Sequence, residues 1–119
     1  MNTEYRDKIC HYIIRILNYA KPILWSWGPE EFYNIEYNNM PALKFKVNGF
    51  LHKDDVVIAY NEGLDCFEIY CLDKSGRVVK SRDDIYLDEL VETIDCLVEK
   101  DCSQEEYYDQ VRESFHKFF

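Results

Sequence analysis

The stretch DVVIAYNEGLDCFEIYCLD, residues 55–73, contains two segments rich in β-branched and aromatic residues, with a short polar link between them. Such segments favour β-strands, and a short link that contains glycine is typical of a hairpin. We predict strands over residues 55–61 and 64–73, joined through Gly63 in a left-handed conformation. Because so short a connection joins antiparallel neighbours, the two strands are predicted to pair with each other.

Further strands are predicted on both sides of this hairpin. Residues 42–50, ALKFKVNGF, alternate between apolar and lysine side chains, which indicates a strand with a bulge at Gly49 and a turn at residues 52–55. Residues 77–80, RVVK, follow the turn DKSG and complete a four-stranded antiparallel meander. We expect helices to cover one face of this sheet and water to reach part of the other, where Tyr70 lies.

Helices are predicted at both ends of the chain. Apolar residues recur at helical spacing from Tyr5 to Ala20, and Pro22 ends this first helix. Residues 22–41 are predicted to form an ordered loop with a possible edge strand. A second stripe runs from Leu87 to Val98, and the capping box SQEE, beginning at Ser103, starts a last helix. Strands and helices are segregated, so we predict an α+β fold, a single domain over residues 1–119.

The composition supports one globular domain with its own core. The chain has 119 residues, of which 47% are hydrophobic and 16% aromatic. The whole net charge of −9 is accounted for by eleven acidic and two basic residues between Arg82 and Asp109. This acidity disfavours direct binding to nucleic acid or to an anionic membrane, whereas a basic protein partner is compatible with it.

Motifs for cofactor or metal chemistry do not occur in the sequence. The four glycines are isolated, which excludes a phosphate-binding loop, and no cysteine pair has zinc spacing, so we expect neither a cofactor nor a metal site. The five cysteines have no regular spacing, and no apolar stretch has the roughly 20 residues of a membrane span. With no signal peptide apparent, these features favour a reduced, soluble, cytoplasmic protein.

The densest aromatic cluster outside the predicted helices and strands comprises Trp25, Trp27 and Phe32. Aromatic side chains dominate the energetics of many interfaces, and loops on a rigid scaffold often carry recognition. Two interpretations remain open: these rings close the core beyond the first helix, or they contact a ligand or partner. Tyr70, on the open face of the sheet, is a further candidate contact residue. In a locally extended chain, Trp25 and Trp27 would point to the same side.

The segments WSWG (residues 25–28), VNGFLHKDDVVIAYNEGLDCFEIYCLD (47–73) and IYLDELVETIDCLVE (85–99) resemble a group of small uncharacterised bacterial proteins, often encoded near mobile elements. The resemblance covers roughly residues 20–99 and consists of structural features: glycine turns, a strand pair and an amphipathic helix. It implies a bacterial cytosolic origin and carries no activity.

Three classes of function remain compatible with the sequence. We expect a small acidic binding or regulatory module that acts through protein–protein contacts, and no catalytic activity is favoured. The acidic segment would alternatively mimic a polyanion and inhibit a DNA-binding protein. A small enzyme with a site near His52 or Cys102 is the third class, although no general base, acid and nucleophile are adjacent in the sequence.

Overall fold

The computed structural model describes residues 2–100. These residues form an α+β fold in which one antiparallel sheet of five strands, in the order β1-β2-β3-β4-β5, carries three helices. The fold class agrees with the prediction, whereas the sheet has one strand more than the four expected. The elements are α1 (Thr3–Asn18), α2 (Lys21–Ser26), β1 (Glu30–Tyr37), β2 (Met40–Lys46), β3 (Asp55–Asn61), β4 (Cys66–Leu72), β5 (Val78–Ile85), a 3₁₀ turn (Leu87–Glu89) and α3 (Leu90–Val98).

The additional strand, β1, lies where an ordered loop with a possible edge strand was expected. It pairs with β2 from Tyr37↔Met40 onward, so only Asn38 and Asn39 connect the two strands. Both asparagines have positive φ, 50° and 63°, as a two-residue type I′ hairpin turn requires. Asparagine tolerates this conformation better than most residues. Asn38 and Asn39 therefore form the turn that lets residues 30–37 pair with β2 as a strand.

The chain between β2 and β3 packs against the end of α3. The amides of Leu51 and His52 donate to the carbonyl of Val98 at 2.7 and 3.2 Å, and the amide of Phe50 donates to the Glu99 carboxylate at 2.9 Å. Carbonyls at a helix C-terminus lack partners within the helix, so this loop supplies them. The predicted long strand with a bulge at Gly49 is wrong in this detail, because β2 ends at Lys46.

The β3–β4 hairpin has a longer loop than predicted, because β4 begins only at Cys66. Asp65 adopts the left-handed conformation with φ 50°, and Gly63 does not. The Asp65 carboxylate accepts a hydrogen bond from the Tyr60 hydroxyl at 2.6 Å. On the other side of β4, β5 extends to Ile85, well beyond the predicted Lys80.

The core lies between the sheet and the helices on one of its faces. Cys10, Ile13 and Leu17 of α1, with Leu90, Ile94 and Leu97 of α3, pack in one cluster with Leu43, Phe45, Ile58 and Ile69 of the sheet. The opposite face carries a smaller cluster around Ala42, Val57, Ala59 and Leu72. Within the described residues, helices thus cover one face as predicted, whereas side chains of the strands themselves bury the centre of the opposite face, including Ala42, Val57 and Ala59.

The acidic C-terminal third is described as far as Lys100. The predicted stripe from Leu87 to Val98 forms the 3₁₀ turn and α3, which buries Leu90, Ile94, Leu97 and Val98. The helix predicted to begin at Ser103 lies outside the described residues. Of the helices within residues 2–100, none combines the length and apolar character needed to cross a membrane.

Candidate functional site

The two tryptophans have opposite environments, because the segment that contains them is helical rather than extended. Pro22 occupies the first turn of α2, where its missing amide hydrogen costs no helical bond. At 3.6 residues per turn, side chains two positions apart on a helix project about 200° apart. Accordingly, Trp25 is 69% exposed while Trp27, directly after the helix, is fully buried.

Trp27 belongs to the core. Its indole N–H donates to Oδ1 of Asp95 at 2.9 Å, and its carbonyl accepts from the amide of Asn48 at 2.6 Å. A buried indole needs such a partner, because an unpaired N–H in an apolar environment is unfavourable. Of the two roles that the sequence left open, core closure is therefore the one in which the structure places Trp27.

Trp25 and Phe32 line a common groove between α1, α2 and the start of β1. We call it the aromatic groove, and its volume is about 510 Å³. Gly28, between the end of α2 and β1, adopts the left-handed conformation with φ +58°, which glycine accepts without strain. Phe32 remains 42% exposed. The groove is lined by Ile14, Leu17, Asn18, Leu24, Trp25, Gly28, Pro29 and Phe32.

An irregularity in β1 and a stacked ring pair hold Phe32 at this groove. The register of β1 against β2 shifts between Glu30 and Tyr33, and Glu31 adopts a positive φ of 56°. Such a bulge re-aims side chains at a sheet edge. The Phe32 ring stacks on that of buried Phe45, with centroids 5.1 Å apart and 21° between the ring planes. One side of Phe32 is thus fixed on the core while the other faces the groove.

Tyr70 lies on the opposite face of the sheet and does not join the aromatic groove. Its ring pairs with Tyr37 at a centroid distance of 5.0 Å, and its hydroxyl donates to the Glu68 carboxylate. Burial is the main cause that raises the pKa of Tyr70 to about 12, followed by the bond to Glu68. These contacts make Tyr70 part of the cover over Ala42 and Val57.

His52, the first residue of the turn predicted at residues 52–55, is buried. One ring nitrogen lies 3.0 Å from the carbonyl oxygen of Asp55, and Asp55 pairs with Lys44 at 3.7 Å. The first contact holds the β2–β3 loop against the start of β3, and the second joins β2 to β3. His52 does not line the aromatic groove. Cys102, the other residue considered for catalysis, lies outside the described residues.

The described cysteines lack the features of catalytic nucleophiles. Cys10, Cys66 and Cys71 are buried free thiols. Burial is the main cause that raises the pKa values of Cys10 and Cys71 to about 11, which keeps both thiols protonated near neutral pH. Cys96 in α3 is disulfide-bonded, which the irregular spacing of the cysteines did not indicate.

A second groove, which the sequence did not indicate, lies on the other side of α1. We call it the tyrosine cleft, and its volume is about 570 Å³. Its residues come from α1, from the β3–β4 hairpin and from the chain that enters the 3₁₀ turn, so no local sequence motif predicts it. The tyrosine cleft is lined by Ile9, Tyr12, Tyr60, Asp65, Phe67, Tyr86, Leu87 and Asp88.

The acidic segment divides into structural and exposed carboxylates. Asp95 and Glu99 accept the hydrogen bonds from Trp27 and from the amide of Phe50. Exposed acids in the described part of the segment are Asp83, Asp84, Asp88, Glu89 and Glu92. Polyanion mimicry stays a prediction that would depend on this exposed group.

Within residues 2–100, no group of three or more histidine, cysteine, aspartate or glutamate side chains is arranged to hold a metal ion. Comparison of the chain with protein-family models, curated proteins and solved structures gives no match. The aromatic groove and the tyrosine cleft lie on opposite sides of α1.

Proposed function

We propose that the protein is a binding module whose aromatic groove receives an apolar side chain of a protein partner. The observation that carries this proposal is the exposure of Trp25, 69%, beside Phe32 in a groove that other apolar residues line. Tryptophan and other aromatic residues are the most frequent energetic anchors of protein interfaces. Apolar surface that is contiguous, rather than scattered, marks interaction sites in soluble proteins.

The side chains that form the aromatic groove are held in place by the core, which favours a role in binding over that of an ordinary exposed surface. Leu17 and Leu24 form its floor and belong to the buried core cluster. Phe32 is stacked on Phe45, so little side-chain freedom remains to be lost when a partner binds. An apolar side chain in this groove would complete the burial of two aromatic rings, each of which offers about 150–250 Å² in total.

The proposal is tested by comparing variants of one purified pair. A partner protein that the immobilised chain retains from native cells is identified and purified. The affinity of this partner is then measured for wild type, Trp25→Ala and Tyr33→Ala. Tyr33 is an exposed aromatic residue outside the groove lining, so it serves as the matched control. We expect Trp25→Ala to raise the Kd by a factor of about 30 or more, as for an interface hot spot, and Tyr33→Ala to leave it nearly unchanged.

Salt dependence separates this function from polyanion mimicry. Apolar docking in the groove predicts a Kd that changes little between low and high salt, because burial of apolar surface is not screened. Equal affinity of Trp25→Ala and wild type, together with strong weakening by salt, would instead assign binding to the exposed acids and refute the proposal.

A further inference from the structure

The tyrosine cleft combines aromatic rings with carboxylates. Phe67 is almost fully buried and pairs with Tyr60 at a centroid distance of 5.4 Å, so these two rings are anchored in the core. Tyr12 and Tyr86 remain 44% and 56% exposed. Four aromatic side chains from three separate parts of the fold therefore line one cavity of about 570 Å³.

The charge of the cleft has one sign. Asp65 and Asp88 contribute carboxylates, and no lysine, arginine or histidine is among the described residues that line it. The Tyr60 hydroxyl donates to Asp65 at 2.6 Å, which holds this carboxylate at the cavity wall. This bond is the main cause that raises the pKa of Tyr60 to about 12. The Tyr60 phenol therefore stays neutral beside the Asp65 carboxylate through the neutral pH range.

We propose that the tyrosine cleft binds the ammonium head group of a small organic cation. Aromatic rings attract such cations through the negative potential of their faces, and several rings around one cavity are typical of sites for quaternary ammonium groups. The two carboxylates add a net attraction for positive charge and disfavour anions. The volume falls within the range of roughly 300–1,000 Å³ found for small-molecule sites.

This site is separate from the aromatic groove and does not depend on the function proposed for it. The two cavities share no lining residue, and each contains residues of a different part of α1: Ile9 and Tyr12 here, Ile14 and Leu17 there. Substitutions in one cavity can therefore serve as controls for the other.

Choline and its uncharged analogue dimethylbutanol, in which a tert-butyl group replaces the trimethylammonium group, test the inference. Both are titrated into the full chain and followed by NMR chemical shifts and by calorimetry. We expect choline to bind with a Kd at or below the millimolar range and to shift resonances of Tyr12 and Tyr86. The analogue has nearly the same shape and no charge, and we expect it to bind at least about tenfold more weakly.

Two variants and a control locate the site. Tyr86→Leu removes an exposed ring and Asp88→Asn removes a charge with little change of volume, so neither should disturb the core. We expect each to weaken choline binding by a factor of about three to ten. Trp25→Leu, in the aromatic groove, should leave it unchanged.

Each contrary result overturns the inference. Equal affinity for choline and dimethylbutanol would show a merely apolar cavity. Unchanged binding in both Tyr86→Leu and Asp88→Asn, or absence of saturable binding in the millimolar range, would show that the cleft is not a cation site. Tighter binding of a lysine-containing peptide than of choline would assign the cleft to a protein side chain instead.

Discussion

The indole N–H of Trp27 donates to the carboxylate of Asp95 at 2.9 Å, across 68 residues of sequence. This bond joins the end of α2 to the middle of α3. Asp95→Ala would leave the buried indole N–H without its acceptor, so we expect a loss of about 1–2 kcal/mol in the free energy of unfolding. Asp95→Asn keeps an oxygen at the same position and should cost clearly less. Urea denaturation of the three proteins measures the difference, and equal stability of Asp95→Ala and Asp95→Asn would contradict this role.

The two tryptophans should differ sharply when each is truncated. Trp27→Ala removes a fully buried side chain and should lower the free energy of unfolding by about 3–5 kcal/mol. Trp25→Ala removes an exposed side chain, and we expect a change within about 0.5 kcal/mol. Thermal and urea unfolding monitored by circular dichroism measure both values. Similar losses for the two variants would contradict the division between core and surface.

Gly49 is expected to tolerate no side chain. A Cβ atom there would lie 2.4 Å from both the carbonyl oxygen and Cγ1 of Val98, so the loop that supports the end of α3 would have to move. We expect Gly49→Ala to destabilise the protein by about 1–3 kcal/mol. Gly63→Ala is the matched control, because its Cβ would meet only Asn61 at an ordinary 3.5 Å. A Gly49→Ala protein as stable as the Gly63→Ala protein would show that the loop does not pack there.

Alkaline pH should destabilise the fold through its buried thiols. The pKa values of Cys10 and Cys71 rise from 9.0 to about 11 on folding, so the unfolded chain releases these protons first. Their contribution to stability is therefore complete below pH 9 and declines as the pH rises to about 11. Unfolding free energies measured across this interval test the effect. The Cys10→Ala/Cys71→Ala double variant should show a shallower decline, and an unchanged slope would contradict this cause.

The sequence predicts the helix-covered face of the sheet correctly because that information is local. Leu43 and Phe45 alternate with lysines, and Phe67, Ile69 and Cys71 alternate with more polar neighbours, so periodicity alone assigns their side of the sheet. The missed strand β1 depended on turn geometry. Asn38 and Asn39 both adopt positive φ, which asparagine tolerates, so two consecutive asparagines indicate a hairpin turn that strand propensity alone does not detect.

The candidate site was only partly predictable, because it depends on the local conformation of residues 21–26 and on contacts between distant parts of the chain. Trp25 and Phe32 were candidate contact residues, with core closure as the alternative, and they lie in one groove. Whether Trp25 and Trp27 share a side depends on local conformation, and the short helix α2 reversed the expectation for an extended chain. The contact of Trp27 with Asp95 and the assembly of the tyrosine cleft are long-range results of folding. No residue spacing in the sequence predicts this contact or this cleft.

The most direct test of the central claim, that Trp25 serves recognition and Trp27 serves the core, is fluorine NMR of the fluorotryptophan-labelled protein. The two indoles give two resonances, which the Trp25→Phe variant assigns. We predict that a solvent paramagnetic probe broadens the Trp25 resonance and spares that of Trp27, and that the purified partner shifts Trp25 and protects it from the probe. The account would be contradicted by a Trp25 resonance that the probe does not broaden in the free protein. It would also be contradicted if the bound partner left this resonance unshifted and still broadened by the probe.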